Sequence, residues 1–312
     1  MSNNFSFSKL DTYDQCHYKY KLCYVDGNYI HGSNIAVEIG TLIHQTEEAI
    51  AKAILENQSI NYIELKNNVL IKLNEIEHRY PEDFVKPDKA GRTYAEKVNT
   101  YLRSSIYYLE TFCKKSEYEL VDTEKSFTID IDDHTFTGSI DRVFRHKVTG
   151  ALLVQDIKTY SQPVEQNKLA TPLQFVIYCL AAEAIYGQPA DTIKCQYYLP
   201  FFLTELGFGL AQDAGTAGFI SRGKKKLDNL FLEINAGNYA PTPSPLCNYC
   251  QYCITNPDST EPGKYLCPYF SHWTRDNRIM GIVENQWLGI DFDKEIVERY
   301  QQKAKADVKI II

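Results

Sequence analysis

Hydrophobic positions in the first third of the chain recur at helical spacing. Stretches rich in Glu, Ala, Ile, Leu and Lys run from about Glu38 to Leu55, from Ile60 to His78 and from Lys89 to Lys115. Ser8 can cap an earlier helix that extends to about Tyr24. We therefore expect a helical N-terminal part.

At Glu119 the pattern changes to short runs of β-favouring residues separated by turn residues. The runs are Leu120–Val121, Phe127–Ile129, Phe136–Ile140 and Leu152–Val154. Strands joined by tight turns pair with their neighbours in sequence, so we expect a β-meander.

Helix and strand patterns then alternate towards the C-terminus. Leu173–Tyr186 is apolar at helical spacing and ends at Gly187, Ile193–Leu199 has strand character, and Gly215–Ala236 predicts a further helix. The order helices, strands, helix, strand predicts an α/β fold with helical additions.

A proline-rich segment, Ala240–Pro245, marks the clearest boundary, because it cannot continue a helix. The 312 residues are 44% apolar, enough to bury a sizeable core. We expect one domain over residues 1–270 and a C-terminal tail over 271–312. The domain divides into a helical part, 8–115, a core, 118–236, and a cysteine-rich region, 240–270.

The chain has no run of about 18 consecutive apolar residues, and its first residues lack the basic flank and apolar core of a signal peptide. We therefore expect a soluble, cytoplasmic protein that does not use a membrane.

The net charge of −7 argues against a protein that coats nucleic acid by charge alone. A nucleic-acid partner would need a local basic patch, for which Arg222, Lys224, Lys225 and Lys226 are candidates. An ordinary solvated helix face explains these four residues equally well.

Acidic side chains end two neighbouring predicted strands, at Asp141 and Asp156. Two carboxylates held close together repel each other unless a cation neutralises them, which makes the pair a candidate site for Mg²⁺ or Mn²⁺. Lys158 lies two residues beyond Asp156 and so shares its face of the strand. Surface salt bridges remain the alternative explanation for an isolated Asp-x-Lys.

Four short motifs together resemble those of the PD-(D/E)XK nuclease superfamily, specifically its RecB-like branch. They are Gly138–Arg142, Asp156–Lys158, the helical Gly-x-x-x-His of Gly40–His44 and the helical Gln-x-x-x-Tyr of Gln174–Tyr178. The resemblance implies a restriction-endonuclease-like core, a mixed sheet flanked by helices, with helical insertions and a cysteine-stapled C-terminal region.

The same resemblance implies roles for individual residues. Asp141, Asp156 and Lys158 would be catalytic, with Gln174 and Tyr178 in support. The metal, Mg²⁺ or Mn²⁺, would be held by Asp141, Asp156, the Ile157 carbonyl and His44. Glu124 matches a further acidic position often seen upstream of the aspartate.

Nine cysteines occur in the chain, and four of them, Cys247, Cys250, Cys253 and Cys267, crowd into one short stretch. Clustering of this kind indicates metal binding. These four cysteines alone permit a tetrahedral zinc site.

Nucleases resembling AddB and the CRISPR-associated four-cysteine nucleases instead hold a [4Fe-4S] cluster, with one cysteine near the N-terminus and three after the core. On this resemblance the iron-sulfur ligands are Cys16, Cys247, Cys250 and Cys267. Cys253 is the alternative fourth ligand, and we expect it to need a cramped loop because it follows Cys250 so closely.

The resemblance implies a DNA exonuclease that acts on single strands or free ends in recombination, repair or replication, with a helicase or recombination protein as a candidate partner. Three alternatives remain: a CRISPR-associated nuclease that trims new spacers, a non-catalytic iron-sulfur module that binds DNA ends, and a zinc-binding structural protein.

Overall fold

The computed structural model of the protein describes residues 4–30, 34–203, 207–242, 244–253 and 266–267. The predicted tail, 271–312, lies outside the described residues. The chain divides into two units, unit 1 from Met1–Phe7 and Ser33–Leu227, and unit 2 from Ser8–Gly32 and Asp228–Ile312. The N-terminal segment therefore groups with the cysteine-rich region and not with the helices that follow it.

Side-chain caps fix the start of the main N-terminal helices. Asn34 and Asn61 accept hydrogen bonds from the first turns of the two long helices, and Thr93 forms a capping box with Glu96. The helices are α1 (Phe7–Gln15), α2 (His17–Tyr20), α3 (Ile35–Leu55), α4 (Tyr62–Arg79), α5 (Pro81–Val85), α6 (Tyr94–Arg103), α7 (Tyr108–Lys115), α8 (Gln166–Leu169), α9 (Leu173–Tyr186) and α10 (Phe219–Asn235).

The predicted third helix, Lys89–Lys115, is wrong as a single element. It begins at Tyr94, and a 3₁₀ turn at Ser105–Tyr107 separates α6 from α7. The 3₁₀ turn carries the β-branched Ile106 and follows Ser104, neither of which favours the interior of an α-helix.

A six-stranded mixed sheet forms the centre of unit 1. The predicted meander is confirmed, because β2 pairs antiparallel with β3, and β3 pairs antiparallel with β4. A crossover through α9 then places β5 parallel to β4. The strands are β1 (Asn4–Phe5), β2 (Tyr118–Ile131), β3 (His134–His146), β4 (Leu152–Ile157), β5 (Lys194–Leu203) and β6 (Gly209–Ala214).

The strand register separates the two faces of this sheet. Arg142 lies opposite Gln155, which in turn lies opposite Gln196, so these side chains share one face. Asp141 and Asp156 are their neighbours in sequence and therefore belong to the other face.

Helices cover both faces, as the predicted fold class requires. On the Arg142 face, apolar side chains of α3, α4, α6 and α7 form one buried cluster with those of the strands. On the Asp156 face α9 packs closely, with the rings of Phe175 and Tyr197 4.6 Å apart. Unit 1 is thus a mixed sheet flanked by helices, the restriction-endonuclease-like arrangement that we expected.

Helix α9 is apolar all round, which is typical of a helix buried in a core. The segment Gln166–Tyr186 is long and apolar enough to cross a membrane, but 61% of its most apolar window is buried inside the protein. Gly223 of α10 approaches it so closely that a Cβ there would lie 2.2 Å from Val176 Cγ2. These contacts identify α9 as a core helix.

Unit 2 joins the N-terminal helices to the C-terminal cysteine region. The Tyr13 hydroxyl donates to the Asn238 carbonyl at 2.7 Å, and the Tyr252 hydroxyl donates to the Asn28 carbonyl at 2.7 Å. The predicted helix from Ser8 to Tyr24 is interrupted at Cys16, whose extended backbone (φ −162°, ψ 112°) separates α1 from α2. A π-helix, Lys21–Val25, follows α2.

Candidate functional site

The two acidic residues end neighbouring strands and face the same side of the sheet. The register that pairs Arg142 with Gln155 brings Asp141 opposite Asp156, and both side chains are buried. Asp141 Oδ2 accepts a hydrogen bond from the Ile157 amide at 2.7 Å. Burial and the Asp156 carboxylate raise the pKa of Asp141 well above its usual range. The site therefore concentrates negative charge where water cannot readily screen it.

Lys158 lies beside this pair, with its Nζ 2.7 Å from Asp156 Oδ2. Although the ammonium is this close, Asp156 Oδ2 accepts no hydrogen bond of regular geometry among the described residues. Burial alone would lower the pKa of Lys158, but the charges of Asp156, Tyr160 and Asp141 offset this effect and raise the pKa. The raised pKa favours the protonated ammonium of Lys158 at the carboxylate pair.

His44 of α3 reaches the end of β4 from the side. Its Nε2 lies 3.0 Å from the Ile157 carbonyl oxygen, and its Nδ1 lies 3.7 Å from Asp141 Oδ2. Burial lowers the pKa of His44, which favours the neutral imidazole. When Nε2–H donates to the carbonyl, Nδ1 is left as an acceptor that faces another acceptor. His44 Nδ1 and Asp141 Oδ2 are therefore placed to hold a cation or a proton between them.

Glu124 joins this site from β2. Ligand atoms of His44, Glu124 and Asp141 all lie within 4.8 Å of one another, the one such group of three among the described residues. Glu124 has a φ of +45°, a left-handed conformation that a non-glycine residue adopts at a cost in energy. Burial raises its pKa, against the hydrogen bond from Ser139 Oγ at 3.0 Å.

The sequence prediction had left Glu124 out of the metal ligands. The β-meander itself carries the missing signal, because Thr123 pairs with Arg142 and Lys125 with Ile140, which leaves Glu124 opposite Asp141. Pairing the predicted strands residue by residue would have brought these two acids together.

Gln174 and Tyr178 of α9 hold the opposite side of the Asp156 carboxyl group. Gln174 Nε2 donates to Asp156 Oδ1 at 2.8 Å, and the Tyr178 hydroxyl approaches the same oxygen at 3.4 Å. Gln174 Nε2 also lies 2.8 Å from the Tyr178 hydroxyl. The two residues therefore orient Asp156 from one helix face, as their i, i+4 spacing permits.

The four residues of the predicted basic patch differ in their contacts and exposure. Arg222 donates to the Ala217 and Ala170 carbonyls and to the Thr171 hydroxyl at 2.7 to 3.0 Å, so its guanidinium holds loops around the start of α10. Lys224 and Lys225 are exposed on α10, and Lys226 is half-buried. DNA contact by these four residues stays a prediction, for which Lys224 and Lys225 have the accessible ammonium groups.

The cysteines predicted to bind a cluster meet within unit 2. Cys16, Cys247, Cys250, Cys253 and Cys267 all line one cavity of about 40 Å³. The segment that carries Cys253 forms two consecutive tight turns: the Cys250 amide donates to the Cys247 carbonyl at 3.2 Å, and the Cys253 amide to the Cys250 carbonyl at 3.0 Å. Cys253 also pairs with Cys267 in an isolated parallel β-bridge. Both candidates for the fourth ligand therefore lie beside the cavity.

Comparison with known proteins places the chain in a family. The family model described as PD-(D/E)XK nuclease superfamily matches residues 4–254, which include His44, Asp141, Asp156 and Lys158. The chain belongs to the PD-(D/E)XK nuclease superfamily, whose members use divalent metals, and its His44, Glu124 and Asp141 form a group that could hold a metal ion.

A crystal structure of a suspected exonuclease from Eubacterium rectale is similar at 11% sequence identity and a TM-score of 0.43, over 83% of this chain and 90% of that chain. No curated protein matches the chain.

Proposed function

We propose that this nuclease is a divalent-metal-dependent exonuclease that hydrolyses DNA at single strands or free ends, in recombination, repair or replication. The observation that carries the proposal is the convergence of His44, the Ile157 carbonyl, Asp141 and Asp156 beside the Lys158 ammonium. A cytoplasmic location, as expected from the sequence, belongs to the same proposal.

The donor atoms fit a hard divalent cation. Asp141 and Glu124 offer carboxylate oxygens and His44 a neutral imidazole within one close group, and Ile157 offers a carbonyl oxygen. Asp156, opposite Asp141 in the sheet, would add a further carboxylate, and the set suits Mg²⁺ or Mn²⁺. When bound, such a cation supplies Lewis-acid stabilisation of phosphate charge and acidifies the attacking water.

Lys158 supplies the remaining charge. Its Nζ is held at Asp156 and keeps its proton, so it can donate to a non-bridging phosphate oxygen as negative charge develops there. Gln174 and Tyr178 both contact Asp156 Oδ1, so the carboxylate cannot rotate to direct both of its oxygens at Lys158.

An anaerobic cleavage assay tests this proposal, with 5′- and 3′-labelled single and double strands and Mn²⁺. We expect the wild type to release products only with the metal, and Lys158→Ala to lose about a hundredfold or more in rate, the scale of one donor to developing charge. Lys168→Ala removes an exposed lysine and is the matched control. Cleavage in EDTA, or full activity of Lys158→Ala, would contradict the proposal.

We further propose that Cys16, Cys247 and Cys250, with either Cys267 or Cys253, hold a [4Fe-4S] cluster that staples the two segments of unit 2. Their common cavity supports this proposal. Tetrahedral zinc would hold its sulfurs about 3.8 Å apart. The cysteines that line this cavity can supply thiolate ligands to zinc as well as to a cluster, so the bound metal must be identified directly.

Anaerobic purification distinguishes a [4Fe-4S] cluster from zinc, because the cluster absorbs light at about 400 nm whereas zinc is colourless. We expect iron and sulfide in the wild type and their loss in Cys16→Ser and Cys250→Ser. Cys113→Ser changes a half-buried cysteine of unit 1 and should keep the iron. Comparing Cys253→Ser with Cys267→Ser identifies the fourth ligand. A colourless protein that contains zinc would refute the cluster.

A helicase or recombination protein is the partner that we propose for an end-processing enzyme. The CRISPR-associated alternative predicts a copurifying integrase, and the non-catalytic alternative predicts DNA-end binding without cleavage. The labelled-strand assay and the copurified proteins separate these cases.

A further inference from the structure

A buried ion pair lies directly behind the candidate active site. Glu47 of α3 and Arg142 of β3 are both wholly buried, and the Arg142 guanidinium donates to Glu47 Oε2. The other guanidinium nitrogen donates to Gln155 Oε1 at 2.9 Å. Arg142 therefore bonds one helix and the neighbouring strand at the same time.

Other polar atoms of this network are also engaged, although Arg142 Nε makes no hydrogen bond among the described residues. The Tyr101 hydroxyl donates to Glu47 Oε1 at 2.7 Å, and Gln155 Nε2 donates to the Tyr108 hydroxyl at 3.0 Å and to Gln196 Oε1 at 2.8 Å. Such a network restricts the positions of its side chains, because each hydrogen bond limits the arrangements that satisfy the others.

The network connects three of the elements that carry the site, α3, β3 and β4. Glu47 lies three residues after His44 in α3, Arg142 follows Asp141 in β3, and Gln155 precedes Asp156 in β4. The side chains of a strand alternate between faces, so each network residue fixes the strand position next to a site residue.

Stability alone does not account for such a pair. Burying two charges carries a large desolvation penalty, and well-packed apolar residues often replace a buried pair without loss. The rest of α3 meets the sheet through apolar side chains such as Ile39, Ile43 and Ile50. Apolar contacts are non-directional and tolerate small shifts of a helix, whereas a guanidinium fork requires one arrangement.

We propose that the Glu47–Arg142 ion pair is a positioning device, which sets the placement of α3 on the sheet and so holds His44 at Asp141 and the Ile157 carbonyl. The placement is tight on that side, because a Cβ at Gly40, one turn before His44, would lie 3.2 Å from Thr159 Oγ1. A shift of about 1 Å is enough to impair a catalytic geometry.

The inference rests on the proposed metal-dependent function, so Mn²⁺ binding to the wild type is measured first, by the free Mn²⁺ signal in electron paramagnetic resonance. If the wild type binds no Mn²⁺, the proposed function fails, and the ion pair has no metal site to position. If the wild type binds, the double variant Glu47→Leu with Arg142→Met tests the positioning role.

We expect the double variant to stay folded by circular dichroism and to bind Mn²⁺ about 10- to 100-fold more weakly, the usual effect of losing an outer-shell partner. Ile50→Val is the matched control, since it removes a buried methyl from α3 and leaves the ion pair intact. It should lower stability without changing the affinity for Mn²⁺. Wild-type affinity in the folded double variant would overturn the proposal.

A mutant cycle with His44→Ala shows whether the pair acts through His44. If it does, replacing the pair in the His44→Ala background has little further effect on Mn²⁺ affinity, whereas full additivity contradicts the proposal. If the double variant does not fold, Arg142→Lys replaces it. Lysine keeps the charge but has no planar fork, so we expect weaker Mn²⁺ binding there too, and unchanged binding refutes the role.

Discussion

Two clusters of charged side chains lie on opposite faces of the same sheet, a few residues apart in sequence, and they differ in how their charges balance. The Glu47–Arg142 cluster pairs one acid with one base and is closed to solvent. The cluster on the other face combines Asp141, Asp156 and Glu124 with the single ammonium of Lys158.

The difference shows what each cluster can do. A matched, buried pair has no remaining affinity for an ion, so it can hold elements in place but cannot recruit anything. An excess of acids, partly open to solvent, needs a cation or a proton. The same backbone register therefore gives the sheet two different faces. We call the side with the Glu47–Arg142 pair the structural face, and the side with Asp141, Asp156, Glu124 and Lys158 the chemical face.

The largest expected effect comes from the chemical face. Asp156→Asn keeps the shape of the side chain but removes the charge of a proposed metal ligand. We expect cleavage to fall about a thousandfold or more, since several kcal/mol of charge stabilisation are lost at 1.36 kcal/mol per factor of ten. Initial rates with Mn²⁺ measure this, and Asp130→Asn, on the edge of β2, is the control. A change below tenfold would remove Asp156 from the catalytic groups.

Next in size is the loss of one partner on the structural face. Arg142→Met leaves Glu47 buried without its counter-charge, and we expect the free energy of unfolding to fall by about 3–5 kcal/mol. Lys158→Met should cost less, because the Lys158 side chain is 20% exposed whereas both partners of the Glu47–Arg142 pair are wholly buried. Urea unfolding without metal compares the two variants. Equal losses would mean that the two faces do not differ as described.

Asp141→Asn should have a smaller effect of the opposite sign. The raised pKa means that the folded protein binds this proton more tightly than the unfolded chain, whose reference pKa is 3.8. Wild-type stability therefore falls as pH rises from that value through the folded pKa, whereas asparagine has no proton to lose. In EDTA at neutral pH we expect the variant to be more stable by about 1 kcal/mol, a typical single-residue change.

Unfolding curves at several pH values check this sign. The advantage of Asp141→Asn should vanish near pH 3 and be complete above the folded pKa of Asp141. A variant that is less stable at every pH would show that the carboxylate is not strained in the metal-free protein.

The smallest expected effect concerns the exposed lysines of α10. If both contact a single strand, Lys224→Ala with Lys225→Ala lowers the slope of log affinity against log salt by about 1.4, at roughly 0.7 per phosphate contact. Binding of labelled single strands to the inactive Asp156→Asn protein across salt concentrations measures the slope. An unchanged slope would assign both lysines to an ordinary solvated face.

The sequence predicted those parts of the molecule that depend on local pattern. The α/β class, the meander and the bounds of α3, α4 and α9 follow from periodicity, caps and the stop at Gly187. The short strand β6 was missed, because Gly209 and the polar Gln212 and Asp213 give it no β signal.

Properties that arise from contacts between distant segments were not predictable in the same way. Glu47 lies in a helix that otherwise faces the core with apolar residues, and the sequence gives no reason to pair it with Arg142, 95 residues away. The interruption of the first helix at Cys16 was missed likewise, because its surroundings in unit 2 come from the other end of the chain.

Unit 2 combines an N-terminal with a C-terminal segment, which affects when it can fold during synthesis on the ribosome. Cys16 emerges early, but the C-terminal residues that line the same cavity begin at Thr242. At about 5–20 residues per second, the N-terminal helices wait roughly 10–50 s for these partners. During that interval the central sheet of unit 1 can already form, so the first part of the protein to be made is among the last to fold.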